Sequence, residues 1–392
     1  RGEAASCAGG SWTTAGSVAL ANLGTKDIGE LARSSSAAVT STRFRFDLTA
    51  SRSLRALNLI NHNLSTAAQV RLRTGRAVFD VDWASYIAED RATFSGGAGG
   101  TRVTSVGLVA AATTPRIMYT PATLVALGLL TEQQLTNLLT YSEEFDNAAW
   151  SKANNTITAN AAIGPGGTLS MDKTVPSAAV TMSTGNAFTR ISSAVIAKTA
   201  GTTYALSIYA KAGEFDSLFI SWIDTAGNST IKYNLATGVV SLTTGLGTPS
   251  IVPIGGGIYL CTLVVTQVTT ESQNIRFSCA DSVATVGDGT SGIYIWGAQL
   301  KAVSFPASYT PTTSATVTQT ADSTTVTSAS FTGIHSATAG TLYAEFNVLQ
   351  ASGTRPIVSL DDNTANERIE LYVSGTDLKF KVVDGGVTQC DI

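Results

Sequence analysis

Along much of this chain apolar side chains fall at every second position in short runs, and Gly, Thr, Ser and Asn break each run before it lengthens. Alternation of period two predicts half-buried strands, and the regular breaks predict the turns between them. The first clear case is Arg43-Phe44-Arg45-Phe46-Asp47-Leu48. Leu54 to Leu64 follows, then Gln69-Val70-Arg71-Leu72-Arg73, in which Val70 and Leu72 face one way and the two arginines the other. Val78 to Trp83 and Arg116 to Tyr119 complete a first antiparallel group with an Arg-rich outer face, expected to fill about residues 1–120. The arginine stripe reads as a solvated sheet face, with contact to sugar or to a neighbouring subunit as the alternative. His62 lies between two Asn residues with no nucleophile and acid at catalytic spacing, so it reads as a hydrogen-bonded turn residue rather than a general base.

The period changes over residues 121–136. Pro121 stands at a helix-start position, and Leu124, Leu127, Leu130 and Leu135 with interspersed polar residues predict one or two short helical turns. The alternation then resumes over about 137–315. Asn137 to Trp150 is expected to be an opening strand and Gly292 to Leu300 a closing one. Between them lie Thr203 to Ala210, Ser217 to Ile223, Ser229 to Asn234, Gly238 to Leu242, Ile258 to Thr266 and Asn274 to Cys279. In Leu218-Phe219-Ile220-Ser221-Trp222-Ile223 nearly every position is apolar, which predicts a strand covered on both faces. Many short strands without a long helical pattern predict two packed sheets. A Thr/Ser-rich linker is expected over 316–339, and a partial sandwich over 340–392 with strands at Gly340 to Val348, Pro356 to Leu360, Arg368 to Val373 and Leu378 to Val383. Asp361, Asp362 and Glu367 are read as polar turn residues or metal ligands. The expected fold class is therefore all-β, with tandem antiparallel β-sandwich domains joined by a short helical connector.

Composition narrows the function classes. Charged residues are only 14% of the 392, and the net charge is −3, so no basic field exists to attract nucleic acid. No run of about 18 apolar residues is present to span a membrane as a helix. The chain begins Arg-Gly-Glu without Met and without a charged-then-apolar leader, as expected of a processed or partial product. Four cysteines include no C-x-x-C pair, and with two histidines they do not suggest zinc. Cys261 and Cys279 lie on neighbouring strand-like runs, where either a disulfide or two buried thiols is expected. Cys7 and Cys390, near the ends, are read as free or as intermolecular partners. No G-x-S-x-G motif appears and no acid has a context beyond a turn or strand end, so an enzyme is not expected.

Three stretches resemble known families. Ala56-Leu57-Asn58-Leu59-Ile60-Asn61-His62-Asn63-Leu64-Ser65 with Val70-Arg71-Leu72-Arg73 resembles a segment of phage virion proteins with a galactose-binding-like jelly roll. Asn137-Leu138-Leu139-Thr140-Tyr141-Ser142-Glu143-Glu144-Phe145-Asp146-Asn147 with Trp150 resembles the opening of a module found in phage head-spike and tail-appendage proteins. Its further marks follow in order: Tyr204 to Lys211, Ile293 to Leu300, and Ser308-Tyr309-Thr310-Pro311-Thr312-Thr313. This family is similar to the jelly-roll carbohydrate-binding modules. Ile357 to Asn363 with Arg368 to Tyr372 resembles the first half of a concanavalin-type, lectin-like sandwich, completed by further chain or by another subunit.

The resemblance implies a non-enzymatic bacteriophage virion protein in a spike, fibre or neck or tail appendage. The alternatives are a secreted or cell-surface carbohydrate-binding protein, or a polysaccharide depolymerase. It implies an anchoring first domain, contact with other virion proteins, a homo-oligomer with a trimer as first expectation, and contact with host surface polysaccharide. Sugar recognition uses aromatic faces and planar polar groups, for which Trp222, Tyr233 and Asn228 are the candidates and Trp150 supplies a further ring. No cofactor is expected, and Glu143, Asp146 and Asp172, with Glu144 close by, read as solvated surface carboxylates; the alternative that the resemblance offers is a structural calcium of the kind held by jelly-roll modules, with those three as ligands and Gln299 standing where many calcium-binding relatives carry an acid.

Overall fold

The computed structural model describes residues 92–113, 115–182, 189–281, 286–326, 344, 346–348 and 353–392, with the backbone of four short strands before them. The chain divides into two compact units, Arg1–Val78 and Phe79–Ile392. In the first unit β1 (Ala4–Ala8), β2 (Trp12–Thr14), β3 (Ala32–Ser34) and β4 (Arg43–Asp47) are described. β1 pairs antiparallel with β4, and β2 with β3. The alternation of Arg43 to Asp47 is thus realised as a strand. The strands expected over 54–83, His62, the Arg71 and Arg73 stripe, and most of 327–352 lie outside the described residues, and of Cys7 only the backbone, in β1, is described.

The second unit begins with β5 (Ala92–Ser95), β6 (Thr101–Val103), β7 (Val109–Ala111) and β8 (Ile117–Tyr119). The segment expected to be helical forms β9 (Ala126–Leu129) and β10 (Leu135–Asn137) instead, and no helix occurs among the described residues. Two backbone angles explain the difference. Leu124 and Gly128 hold φ of 57° and 107°, outside the range a right-handed helix accepts. Thr120 and Leu124 close a tight turn through the Leu124 N–H to Thr120 carbonyl bond at 2.9 Å, which folds β9 back onto β8. The leucine stripe that suggested a helix faces outward at Leu124 and Leu127.

The centre of the unit comprises β11 (Ser151–Ala153), β12 (Asn155–Ile163), β13 (Leu169–Pro176), β14 (Arg190–Ser192), β15 (Ile196–Lys198), β16 (Thr203–Ala212) and β17 (Ser217–Trp222). It continues through β18 (Ser229–Asn234), β19 (Val239–Thr244), β20 (Thr248–Gly255), β21 (Ile258–Thr266), β22 (Glu271–Gln273), β23 (Arg276–Ala280) and β24 (Ile293–Lys301). Two antiparallel six-stranded sheets result, ordered β11-β14-β23-β17-β18-β19 and β12-β13-β24-β16-β21-β20. One hydrophobic core joins them. Ile191, Leu218, Ile220, Ile231 and Phe277 come from the first sheet, and Leu206, Ile208, Leu263, Ile295 and Leu300 from the second. Each such side chain is worth about 1.5–3 kcal/mol when fully buried. The continuous apolar run in β17 is buried at every position, as its pattern predicts. Its outward Phe219 is covered by Lys232, whose ammonium lies 5.8 Å from the ring centroid.

Asn137 to Trp150 departs from expectation. Only Asn137 belongs to a strand, and the rest is a succession of tight turns in which Glu144, Asn147 and Trp150 donate to the carbonyls of Tyr141, Glu144 and Asn147. These turns drive Phe145 and Trp150 into the core, with ring centroids 4.9 Å apart.

β25 (Val317–Gln319) and β26 (Ser323–Val326) follow. β25 pairs with β10, and β26 pairs with β5 in the register Ser323 to Ser95 through Val326 to Ala92. The last strands, β27 (Thr354–Asp361), β28 (Arg368–Ser374), β29 (Asp377–Asp384) and β30 (Val387–Asp391), form an antiparallel meander. Asp361, Asp362 and Glu367 spend carboxylate oxygens on the N–H groups of Asn363, Thr364 and Gly385, which is turn chemistry.

Candidate functional site

The seam between β10, β24 and the chain after it is held by Asn137. Its side chain is fully buried and makes four hydrogen bonds: Nδ2 donates to the carbonyls of Ala298 and Thr310, and Oδ1 accepts from the N–H groups of Leu139 and Leu300. The pattern repeats one turn later, where the Tyr141 N–H donates to the Thr313 carbonyl at 2.7 Å and the Thr312 N–H donates to Ser142 Oγ at 2.8 Å. Gln299 completes the stitching, with Oε1 accepting from the Thr310 N–H at 2.8 Å and Nε2 donating to the Ala307 carbonyl at 3.2 Å. The segments 137–150, 293–300 and 308–313, far apart in sequence, are thereby joined, and Tyr209 of β16 reaches them through its ring.

A bulge on β24 sets the geometry beside this seam. Ser207 pairs with Gln299 while Tyr209 pairs with Trp296, so β24 carries one residue more than β16 across that interval. Gly297 sits in the extra space at φ 65°, where an added Cβ would lie 3.0 Å from Tyr209 Cδ2. The bulge brings Trp296 against Tyr309 at 4.8 Å between centroids and against Tyr209 at 5.3 Å. This aromatic group forms a second core cluster with Met171, distinct from the one between the sheets.

Beside these rings lies a concavity of about 270 Å³, lined by Glu143, Trp296 and Tyr309 and by Gly99, Gly100 and Thr101. A second, of about 340 Å³, shares Glu143 and Pro311 and is bordered by Glu144, Asn160 and Ser170. Among the described residues, Glu143 is the only charged side chain lining the first. Its Oε1 accepts the Tyr309 hydroxyl at 3.1 Å. Burial raises the Glu143 pKa above the ordinary glutamate value; Tyr309 works against the rise, and Glu144 adds to it. Trp296 is 5% exposed, and its indole N–H lies against Glu143, where it pulls that carboxyl slightly down. The cleft therefore sets a carboxylate acceptor beside two largely buried rings.

Behind the glycine wall is a buried ionic network. Arg116 Nη2 lies 2.6 Å from Glu132 Oε2 and 2.9 Å from Asp322 Oδ2. Gln319 Nε2 donates to Glu132 at 2.9 Å, and the Ser308 N–H donates to its other oxygen at 2.9 Å. Lys301, fully buried, donates to the Ser308 carbonyl at 2.7 Å and to Thr310 Oγ1 at 2.8 Å. Two cations and two carboxylates so balance out of water, each hydrogen-bonded, as buried charge requires. Gly97 and Gly100 lie directly on this network, since a Cβ on Gly97 would stand 2.6 Å from Arg116 Cδ and one on Gly100 2.5 Å from Gln319 Oε1. The network thus seats the loop that walls the cleft.

The residues expected to bind sugar do not gather. Trp222 is 1% exposed, donates from Nε1 to Gln267 at 2.9 Å and is covered by Lys198, whose ammonium is 4.1 Å from the ring centroid. Tyr233 is 0% exposed, with its hydroxyl donating to the Thr262 carbonyl. Neither ring offers a face to solvent, so both are core residues. Asn228 is exposed at the turn after β17, where Oδ1 accepts from the Asp224 N–H. Trp150 is also core.

The calcium expectation fails the same test of geometry. The two Asp172 oxygens accept from the N–H groups of Phe145 and Asn160 at 2.8 and 2.9 Å, Glu143 is engaged by Tyr309, and Asp146 is exposed. Among the described residues no three acidic, His or Cys side chains come together as a metal would require. The residues present do not fit the ion. Nor is the Cys261–Cys279 bridge made: both are free, buried thiols, and their strands β21 and β23 belong to opposite sheets. Burial pushes both thiol pKa values far up. Trp296 and Tyr309 were missed as site residues; a glycine placed after a Trp inside a strand was the signal for the bulge that aims them.

No family model matches the chain, and no curated protein does. Among solved structures, the enzymatically active domain of bacteriophage CBA120 tailspike protein 4 is 17% identical over 42% of this chain and 21% of its own, with a TM-score of 0.26. The CBM22-1–GH10 modules of Clostridium thermocellum endo-1,4-β-D-xylanase 10B, complexed with xylohexaose, are 16% identical over 45% of this chain and 30% of their own, with a TM-score of 0.25. The chain spans less than a third of the length of either structure. Likenesses this low do not establish a shared fold.

Proposed function

We propose that this chain is a non-enzymatic structural protein of a tailed-phage particle, in a spike, fibre or neck or tail appendage, and that it contacts a surface glycan. In this reading residues 1–120 anchor it to other virion proteins, 137–315 are a jelly-roll-type sandwich, and 340–392 begin a lectin-like sandwich. The carrying observation is the seam itself. The segments that resemble the phage appendage module, 137–150, 293–300 and 308–313, meet through Asn137, Ser142 and Gln299, and the Glu143–Trp296–Tyr309 cleft lies where they meet. A carboxylate beside aromatic carbon is the chemistry that sugars require. Binding is favoured over hydrolysis because, among the described residues, the cleft is lined by the single acid Glu143, without the second carboxyl that hydrolysis uses.

Antibody labelling of intact particles, with sedimentation of the purified chain, tests the structural role. Label on particle appendages and a symmetric homo-oligomer, a trimer first, are expected. A monomer that never co-purifies with particles would overturn it. The absence of reducing ends after long incubation with host polysaccharide separates the binder from a depolymerase.

A further inference from the structure

We infer that the apolar face of the β27–β30 meander is the docking surface for a second copy of this chain, packed face to face about a two-fold axis. This rests on the homo-oligomer of the proposed function and names its contact.

The register sorts the side chains of the meander onto two faces of opposite character. Residues opposite one another on antiparallel strands project to the same side, and their neighbours along each strand project to the other. Arg368, Glu370, Tyr372, Lys381 and Asp391 share one side. Their polar groups engage one another there: Arg368 Nη1 lies 3.4 Å from Glu370 Oε2, and the Tyr372 hydroxyl donates to Asp391 Oδ1 at 2.7 Å. The other side is apolar. Leu360 opposes Ile369, Ile369 opposes Val382, and Leu371 opposes Phe380. Ile392 joins them beside Phe380 through reciprocal backbone bonds of 2.9 and 3.0 Å. Cys390, opposite Val382 on the outermost strand, stands at the rim. Among the described residues none of these belongs to a hydrophobic core cluster, and on this side Leu378 and Ile392 are 56% and 74% exposed. A sheet with one apolar face is completed by a second layer packed on it.

The chemistry of the face selects the layer. Its interior carries no charged side chain, which disfavours nucleic acid and charged peptides and suits another apolar sheet of the same breadth. Its two ends carry opposite charges: Arg355 opposes Val373 at one, and Asp384 opposes Val387 at the other. Neither forms a salt bridge among the described residues. A two-fold axis between two such faces, running across the strands, turns one copy end for end. It sets Arg355 toward the partner's Asp384 at both ends, an isologous contact that complements itself. A three-fold axis along the strands would instead set like ends together. Four strands about 4.8 Å apart and about six residues of about 3.4 Å each make a face of about 19 by 20 Å. With the relief of the side chains, two copies bury on the order of 1,000 Å², at the low end of specific interfaces.

Sedimentation of the full chain over a range of concentrations tests this. A dimer that dissociates on dilution is expected. Phe380→Lys places a charge in the middle of the contact and should weaken association at least a hundredfold, whereas Lys381→Ala on the opposite face should leave it unchanged. Arg355→Asp or Asp384→Arg alone should weaken it about tenfold, and the two together should restore it, because the ends then complement each other again. Circular dichroism confirms that each variant folds; if Phe380→Lys does not, the charge reversals decide. A trimer, an oligomer that Phe380→Lys leaves intact, or reversals that do not rescue each other overturns the inference and leaves the homo-oligomer reading standing. A chain that stays monomeric at every concentration overturns both, and gives the face to a segment of its own chain or to a different protein.

Discussion

Asn137 donates from Nδ2 to the carbonyl of Thr310 at 2.8 Å, across 173 residues of chain. With its three companion bonds this contact closes the seam on which the cleft is built. Asn137→Ala leaves the N–H groups of Leu139 and Leu300 buried without their acceptor, and should cost about 3 kcal/mol. Urea unfolding measures it, and a loss below about 1 kcal/mol would show that the seam does not need the clasp.

Glu132→Gln should be similarly destabilising, by about 3 kcal/mol, because Arg116 and Lys301 then face one buried carboxylate, Asp322, instead of two. Burial alone would raise the Glu132 pKa, but Arg116 with hydrogen bonds from Ser308 and Gln319 outweighs it and holds the carboxyl below its usual range. A depressed carboxyl stabilises the fold above its unfolded pKa of about 4.3 and loses that effect as pH falls. The gap between wild type and variant should therefore narrow below that pH; a constant gap would place the effect in packing rather than charge.

The sign is opposite at Lys301, where burial pushes the ammonium down to about 8, Arg116 assists, and Glu132 opposes. The folded chain gives up this proton first, so the unfolded chain binds more protons between about pH 8 and 10.4. Stability relative to Lys301→Met should rise with pH across that window, by up to about 1.4 kcal/mol per unit. Paired melts at pH 7, 8.5 and 10 read the slope, and a falling difference would refute the assignment.

Much of the strand pattern is legible without coordinates, and the reasons are local. Ser229–Asn234 and Ile258–Thr266 carry β-branched and aromatic residues in register with the pleat, and the strands fall where the sequence places them. β20 is hidden in the sequence because Pro249 and Pro253 interrupt it, and its position at the edge of its sheet is what allows them there. β12 is faint in the sequence because its alternation is carried largely by Thr, Ala and Asn rather than by large apolar side chains. The cleft was not legible for another reason. Its walls come from residues near 100, 143, 296 and 309, and the Gly297 bulge, the Asn137 clasp and the ionic network behind Gly97 and Gly100 bring them together. Aromatic residues likewise carry no mark of the side they face, so Trp222 and Tyr233 stand as sugar candidates in the sequence even though the core is the commoner place for such rings.

Tyr233→Phe tests that correction. It should cost about 1 kcal/mol for the lost bond to Thr262 and leave glycan affinity unchanged. A change of tenfold in affinity without loss of stability would return Tyr233 to the binding site.

For the thiols, a Cys7→Ser background leaves three cysteines to count. Of these only the half-buried Cys390 should react with Ellman's reagent in the folded chain at pH 8, because Cys261 and Cys279 are buried and held protonated. Denaturant without reductant should expose both. Their failure to appear would reveal a disulfide.

The pairing of β5 with β26 has a mechanical consequence. Ala92, where the chain enters this ladder, stands opposite Val326, where it leaves, so the whole module from Ser95 to Ser323 hangs from one short antiparallel pair like a closed purse on its string. Tension between the flanking segments opens that pair rung by rung from its outer end. The cleft and its ionic seat stay unloaded until the last rung parts, and the pull of a tether need not reach whatever the cleft holds.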